Sequence, residues 1–277
     1  MMHIGQYNTL TILRFTNPGA YLGDDDDNDV LLPTKYITAD MSIGDEIEVF
    51  LYLDSEDRLV ATTEKPLIEL NSFEFLKVKE VTHFGAFLDW GLEKDLLVPF
   101  KEQSLKMEEG KYYLVYLYLD EATQRLVASA KVKRFFETEH ILVNEKDEVD
   151  VLICDTTDLG KNVVVNDTYS GLIYNSDIFR FLKRGERCKG YVTKVREDGK
   201  LDISLEKPGF QKIEPNSELI LKYLEKNDGK LRLTDKSDPD AIREVLGMSK
   251  KTFKQAVGNL YKQRIIEIHE DHIALVN

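Results

Sequence analysis

The 277-residue sequence predicts a mostly β protein, in which three tandem five-stranded barrels are followed by an α+β domain. The first observation behind this prediction is a repeat, because three landmarks of the first copy recur 66 residues later: Gly19 as Gly85, Pro33 as Pro99 and Gly44 as Gly110. A looser third copy covers residues 149–207. The second observation is a change from period two to helical spacing after Glu214. Repeats at a fixed spacing are typical of tandem structural units.

Each repeat predicts a small closed barrel. We expect the β units to span residues 1–66, 67–133 and 147–213, and the α+β domain to span 214–277. Glu46–Leu53 alternates between two faces, which is the pattern of a half-buried strand. Several such short strands with glycines at the corners favour a barrel of the oligonucleotide-binding type.

The net charge of −13 is distributed unevenly. The first unit carries 4 basic and 13 acidic residues, whereas the later segments are close to balanced. Much of the excess lies in the run Gly23–Asp29, for which we expect a solvated acidic loop. A calcium site is the alternative, but the spacing of an EF-hand loop is absent. Global charge therefore does not exclude nucleic acid as a partner of the later units.

Several function classes lack their signatures. Cys154 and Cys188 form no CxxC pair, which suits a reducing cytoplasm without a disulfide or zinc. The first residues lack the features of a signal peptide, and the longest apolar run, Tyr112–Leu119, is too short to cross a bilayer. No phosphate-binding loop, nucleophile elbow or HExxH motif is present. We therefore expect a cytoplasmic protein that is not an enzyme, with no cofactor, metal, membrane partner or small-molecule substrate.

The second unit has the strongest candidate binding site. Phe84 and Phe87 flank two small residues, Gly85 and Ala86, which would let the strand bend and a flat ligand approach the backbone. Aromatic rings beside cations are typical of single-strand binding, where stacking contributes roughly 1–3 kcal/mol per base. The polar part of this site would come from three nearby residues: His83, Lys101 and Arg125. The alternative is that both phenylalanines belong to the barrel core.

The third unit has the strongest basic stretch. Residues 180–196 contain one acid, Glu186, and seven basic residues: Arg180, Lys183, Arg184, Arg187, Lys189, Lys194 and Arg196. Because Gly185 aligns with Gly44, two of these cations should face outward where the first unit has glutamates: Arg187 and Lys189 in place of Glu46 and Glu48. Such a stretch favours phosphate contact. A generic solvated strand is the alternative.

Two segments predict structure rather than chemistry. The strand Tyr112–Leu119 is apolar on its outer face as well as on its inner one, so we expect the outer face to pack against a neighbouring unit. Residues 134–146 predict a short linker with a helical turn and no chemistry of their own.

The C-terminal segment predicts a winged helix. A helix over Asn216–Asn227 is followed by a second helix with Asp238 as N-cap, Pro239 at its first position and Gly247 as its stop. Ser249 should cap the third helix, and a hairpin ends the chain. The third helix carries basic residues without an acid: Lys250, Lys251, Lys254, Lys262 and Arg264. These residues could contact DNA or another protein, since winged helices do both.

The second repeat resembles the S1 RNA-binding motif, a five-stranded oligonucleotide-binding barrel. The resemblance lies in VTHFGAFLDW, LLVPFKEQ, EEGKYYLVYLYLD and RLVASAK. Phe84 and Phe87 match the two RNA-facing aromatic residues of that motif, and Pro99 replaces its strand histidine. Tyr174 stands at the histidine position of the third unit, where the aromatic positions hold Leu159 and Asn162; in the first unit they hold Pro18 and Tyr21.

The order of three such barrels and a winged helix with GMSKKTFKQAVGNLYKQRII is similar to that of the bacterial conserved virulence factor B family, also called the YitL family. This resemblance implies a cytoplasmic, non-catalytic protein that binds single-stranded RNA and regulates gene expression after transcription. Two alternatives stay open. One is an adaptor that docks on the ribosome or RNA polymerase, and the other is DNA binding through the winged helix.

Overall fold

The computed structural model describes residues 1–207, 215–227, 229–262 and 265–276. The chain divides into two compact bodies, Met1–Leu205 and Glu206–Asn277. Within these described ranges, no helix has the length and apolar character needed to cross a bilayer.

The first β unit is a closed five-stranded barrel with strand order β1-β2-β3-β5-β4. Its strands are β1 (Tyr7–Thr16), β2 (Gly19–Gly23), β3 (Asp29–Pro33), β4 (Glu46–Leu53) and β5 (Leu59–Thr62). Alternate residues point into an apolar core that includes Ile12, Leu22 and Leu51. The strand predicted at Glu46–Leu53 is present, but it is not half-buried along its whole length. From Val49 to Tyr52 it is buried on both faces, because Phe50 and Tyr52 pack against the second unit.

The second unit has the same strand order but stays open. It contains β6 (Phe73–Val81), β7 (Gly85–Asp89), β8 (Leu96–Pro99), β9 (Tyr112–Asp120) and β10 (Arg125–Ser129). Its order is β10-β9-β6-β7-β8, so β8 and β10 are the two edges of a five-stranded sheet. The five predicted strands are present in the expected order, but β8 and β10 are not hydrogen-bonded neighbours in this sheet. Residues of both edges, Leu96–Leu97 of β8 and Leu126–Val127 of β10, line an apolar cavity.

The third unit is again a closed barrel, with the order β11-β12-β13-β15-β14. Its strands are β11 (Glu148–Thr156), β12 (Gly160–Val165), β13 (Tyr169–Tyr174), β14 (Arg187–Val195) and β15 (Leu201–Ser204). Val151, Ile173 and Val192 are among the residues of its core. The mostly β fold predicted from the repeats is confirmed.

One glycine position explains why the repeat landmarks recur. Gly85 pairs with Pro99 across β7 and β8, and the same register joins Gly19 to Pro33 and Gly160 to Tyr174. At Gly85, φ is +153°, and a Cβ atom would lie 2.3 Å from the carbonyl oxygen of Val98. Only glycine fits such a close approach of two backbones.

The second and third units are joined by an apolar interface, as the outer face of β9 predicted. Leu114 and Tyr116 pack against a cluster that contains Leu152 and Val164 of the third unit. The linker contributes to this contact. Its 3-10 turn, Val132–Phe135, stacks Phe135 on Tyr116 with ring centroids 4.1 Å apart, and the next residue, Phe136, stacks on Phe73 at 4.9 Å. The turn begins at Val132, two residues before the predicted linker, and the first residues of the linker act as a packing element.

The C-terminal body has the helices and hairpin of a winged helix. It contains α1 (Pro215–Lys226), β16 (Lys230–Leu231), α2 (Pro239–Leu246), α3 (Lys250–Lys262), β17 (Ile266–Ile268) and β18 (Ile273–Leu275). The apolar stripes of the helices meet in one core around Ile220, Phe253 and Leu260. Strand β16 pairs with β18 to give a three-stranded sheet. The sequence did not predict β16, because two residues show no periodicity.

The predicted helix caps are confirmed. The Asp238 carboxylate accepts a hydrogen bond from the N–H of Asp240 at 2.8 Å, and Gly247 ends α2 in the left-handed conformation with φ of +68°. The Ser249 hydroxyl accepts a bond from the N–H of Thr252 at 3.1 Å. These side chains fix the ends of α2 and the start of α3.

Candidate nucleic-acid interface

The turn between β6 and β7 presents an aromatic pair to solvent. Phe84 is 62% exposed, and the His83 ring lies 3.8 Å from it, centroid to centroid, at 38°. The turn is fixed because the N–H of Phe84 donates to the Thr82 hydroxyl and the N–H of Thr82 donates to the Gly85 carbonyl at 2.9 Å. Phe84 is therefore not a core residue, which decides against that alternative for this ring.

Phe84 and Phe87 line a cavity of about 280 Å³ at the open edge of the second unit. Its walls come from both edge strands and from β4 of the first unit: Tyr52, Leu53, Trp90, Lys94, Asp95, Leu96, Leu97, Arg125, Leu126 and Val127. A largely apolar concavity with a few polar groups at its edge is typical of ligand sites. The structure therefore brings together three of the residues predicted for RNA binding: Phe84, Phe87 and Arg125.

The first unit holds the floor of this cavity in place. Trp90 is 3% exposed and packs edge-on against Phe50 and Tyr52 of β4, at 5.9 and 6.3 Å. Its indole N–H donates to the carbonyl of Lys94 at 2.5 Å. Burial raises the pKa of the Tyr52 phenol to about 12, so this ring stays neutral at any physiological pH. The floor is aromatic and uncharged.

The cations at the cavity are balanced by an acidic hairpin of the first unit. Arg125 forms an ion pair with Asp57, and the Lys94 ammonium lies 3.6 Å from the same carboxylate and donates to the carbonyl of Asp54 at 2.6 Å. All these groups are partly exposed, so the ion pairs are weak. A phosphate that enters beside Arg125 would compete with Asp57. Sequence reasoning missed Asp57 and Lys94, because their proximity depends on how the units pack.

One interpretation of the turn is wrong. Gly85 and Ala86 were expected to admit a ligand to the backbone, but both are buried. The space above Gly85 is occupied by the β8 backbone, whose Val98 carbonyl lies where a side chain would be. The small residues are required by strand pairing. The aromatic rings therefore form the ligand surface without the backbone between them.

Most of the basic stretch of the third unit is already paired with carboxylates. The ion pairs, with their N···O distances, are Arg180 with Glu186 at 2.6 Å, Arg184 with Asp155 at 3.0 Å, Lys189 with Asp150 at 2.8 Å, and Arg196 with Asp202. Lys189 and Asp150 are direct partners across β14 and β11. The hydrogen bond from this ammonium to Asp150 raises the pKa of Lys189. The local excess of cations in the sequence is thus offset by acids on the neighbouring strands.

Arg187 joins the second and third units. Its guanidinium donates to Glu74 at 3.0 Å and to the carbonyl of Phe73, both in β6, and to Asp167 at 3.1 Å. Burial alone lowers the pKa of Arg187, but the hydrogen bonds and charges of Asp167 and Glu74 outweigh it, so the net pKa lies above its ordinary value. Two carboxylates and a carbonyl occupy this cation, which makes it a structural residue of the interface.

Tyr174, the third unit's counterpart of Pro99, contacts another predicted residue. The Arg196 guanidinium donates to the Tyr174 hydroxyl at 3.1 Å and to Asp202 at 2.7 Å. The hydrogen bond to Asp202 raises the pKa of Arg196 despite its partial burial. These side chains form one polar cluster on the third barrel. Leu159, which precedes Gly160 as Phe84 precedes Gly85, is 64% exposed and offers no ring for stacking.

Three predicted cations keep an unpaired charge. Among the residues that the structure describes, Lys101, Lys183 and Lys194 are exposed and their side chains form no ion pair. Lys101 lies in the 3-10 turn after β8, Lys183 precedes β14 and Lys194 lies on β14. They are available for phosphate, but the structure does not place them at the cavity.

The predicted basic residues of α3 differ in their surroundings. The Lys250 ammonium donates to the carbonyl of Ser237 at 2.8 Å, and that of Lys254 lies 3.7 Å from Asp235. Lys251 and Lys262 are exposed and form no ion pair with any described residue. Arg264 lies outside the described residues. Two cations of this helix are thus open to a partner.

The acidic run of the first unit, Gly23–Asp29, forms a loop that is held by hydrogen bonds among its own residues. The Asp24 carboxylate accepts hydrogen bonds from the backbone of Asp26 and Asn28 and from the Asn28 side chain. These bonds outweigh the effect of desolvation and lower the pKa of Asp24 to about 2. Across the described residues, no group of three or more metal-ligating side chains is assembled.

Two domain families match this chain. The S1 domain matches residues 4–64 and 72–131, which are the first two β units. The conserved virulence factor B-like winged helix domain matches residues 218–275. Both are binding modules, and the S1 domains support a nucleic-acid-binding role for this protein.

Two relatives match most of this chain. The YitL protein of Bacillus subtilis (strain 168) is 31% identical over 274 residues, which cover 94% of this chain and 90% of that protein. Conserved virulence factor B of Staphylococcus epidermidis (strain RP62A) is 30% identical over 243 residues, which cover 85% and 82%. The chain belongs to the conserved virulence factor B family. The family resemblance of the sequence motifs is thereby confirmed.

A related crystal structure spans nearly the same length. A multidomain protein with nucleic acid binding domains from Streptococcus pneumoniae TIGR4 aligns over 99% of this chain and 98% of its own. The two sequences are 24% identical, and the TM-score is 0.41.

Proposed function

We propose that this family member binds single-stranded RNA without catalysis, and that it regulates gene expression after transcription in the cytoplasm. The observation that carries the proposal is the cavity beside Phe84 and Phe87, with Arg125 at its edge. An exposed ring beside a small apolar cavity offers stacking to one or two unpaired bases, and the cation offers a phosphate contact. Bases inside a duplex are already stacked and could not enter.

The first test is fluorescence anisotropy of a labelled single-stranded RNA, the DNA strand of the same sequence and the corresponding duplexes, each across a salt series. We expect the RNA strand to bind most tightly and its affinity to fall as salt rises, since released counterions accompany each phosphate contact. Absence of binding at low salt would contradict the proposal and leave the adaptor on the ribosome or RNA polymerase as the leading function.

Binding of duplex DNA through the winged helix is the second candidate. It is favoured by Lys251 and Lys262 on α3, a helix without an acidic residue. A preference for duplex DNA that disappears in Lys251→Glu with Lys262→Glu would support this candidate over the first. Loss of RNA binding in the same variant would instead assign the winged helix to the RNA site.

A further inference from the structure

A groove of about 980 Å³ runs between the second and third units and is separate from the cavity at Phe84. Its lining comes from the loop before β9, the start of β9, the segment after β10 and two residues of the third unit: Ser104, Leu105, Lys111, Tyr112, Tyr113, Leu114, Ala130, Lys131, Val132, Lys133, Arg134, Asp155 and Arg184. The two sites share no lining residue.

The charge of the groove is opposite to that of the whole chain. Five cations and one acid, Asp155, line it, although the chain as a whole has a net charge of −13. Three of the cations pair with carboxylates: Lys111 with Glu108, Arg134 with Glu102 and Arg184 with Asp155. Lys131 and Lys133 are exposed and form no ion pair among the described residues. A concentration of cations in an acidic protein favours a polyanion at this place.

Two arginines of the groove are held in place by aromatic faces. The Arg134 guanidinium lies 4.6 Å from the centroid of Phe135, and that of Arg184 lies 4.5 Å from the centroid of Phe75. Each also pairs with a carboxylate, Arg134 with Glu102 at 2.6 Å and Arg184 with Asp155 at 3.0 Å. A guanidinium fixed in this way loses little conformational freedom when it also contacts a phosphate.

The groove also exposes an aromatic ring. Tyr112 is 57% exposed at the start of β9, and Leu105 beside the groove is 76% exposed. By contrast Tyr116, further along the same face of β9, is covered by Phe135 of the linker. Tyr112 is thus the ring of this face that remains open to a ligand, and an open ring between cations is the arrangement that binds single strands.

We propose that this groove binds a second stretch of the same single-stranded RNA, through phosphate contacts of Lys131 and Lys133 and stacking of one base on Tyr112. The proposal rests on the proposed function, because it extends that RNA site beyond the cavity. An RNA strand that occupies both the cavity and the groove would contact the second and third units at once. Only an RNA longer than the cavity site would reach the groove.

The test compares a labelled RNA of about 20 nucleotides with one of about 5, since one barrel of this type takes roughly 4–16 nucleotides. The groove variant is the full chain with Lys131→Glu and Lys133→Glu. The control variant carries Lys65→Glu and Lys200→Glu, which change the net charge equally at exposed lysines outside both sites. Tyr112→Ala provides a variant without a charge change.

We expect the groove variant to bind the long RNA about tenfold more weakly than the control does, with a salt slope lower by roughly 1–1.5. Tyr112→Ala should bind the long RNA more weakly than the unmodified chain does. The affinity for the short RNA should be the same in the groove variant as in the control variant, and the same in Tyr112→Ala as in the unmodified chain. Equal affinities of the groove and control variants for the long RNA would overturn the proposal. The proposed function fails separately, if neither RNA binds to the unmodified chain.

Discussion

Replacing Phe84 and Phe87 by alanine is expected to lower the affinity for single-stranded RNA at least tenfold, since each stacked base contributes roughly 1–3 kcal/mol. Phe84 is 62% exposed, so its loss removes little packing energy. Phe87 is half-buried and lines the cavity, so its loss also widens the base site. Anisotropy titrations of the full chain at one fixed salt concentration measure the effect.

The matched control is Phe15→Ala, which removes a ring that is 41% exposed on β1 of the acidic first unit. It should leave the RNA affinity unchanged. The salt slope should also persist in the double alanine variant, because the cations are retained. An affinity equal to that of the control would show that the cavity is not the RNA site.

Replacing Gly85 by alanine is expected to destabilise the second unit by about 3 kcal/mol or more, because the backbone conformation there is open only to glycine. The added Cβ atom would meet the Val98 carbonyl oxygen at 2.3 Å and force β7 and β8 apart. Trp90, the single tryptophan of the chain, is buried in the core of this unit. Its fluorescence during urea unfolding therefore reports on the second unit directly.

Gly110→Ala separates the two causes of this loss of stability, which are backbone strain and the steric clash with the neighbouring strand. Gly110 has φ of +79°, but a Cβ atom there would meet nothing within 4 Å. Its substitution should cost about 1 kcal/mol from backbone strain alone. Equal urea midpoints for the two variants would contradict the steric explanation of the repeated glycine.

The sequence predicted most of the architecture because its signals are local. Glycine corners and the caps at Asp238 and Gly247 depend on neighbouring residues, and each has its expected structure. The strand predicted at Glu46–Leu53 is also present, but the second unit covers its outer face. The open edge between β8 and β10 could not be predicted in this way. The cavity at this edge is lined by residues of two units, such as Trp90 and Tyr52, which meet only in the folded chain.

The rings of the candidate site and Arg125 were predictable from the sequence, but the ion pairs of the predicted cations were not. Phe84 is recognisable from the turn in which it lies, whereas the partners of Arg187 are Glu74 and Asp167, distant in sequence. A run of seven cations counted along the chain is not the charge of a surface, since sheet pairing brings acids such as Asp150 opposite Lys189. The role of Lys131 and Lys133 could not be recognised from the sequence, because the groove forms only where the second and third units pack together.

The most direct test of the cavity as the RNA site is photo-crosslinking of the full chain to single-stranded RNA that carries 4-thiouridine, followed by mass spectrometry of the tryptic peptides. Cleavage after Lys79 and Lys94 isolates residues 80–94, which contain Phe84, Phe87 and Trp90 in one peptide. We expect this peptide to carry the dominant RNA adduct. Adducts confined to the first unit or to α3, with none on residues 80–94, would contradict the assignment.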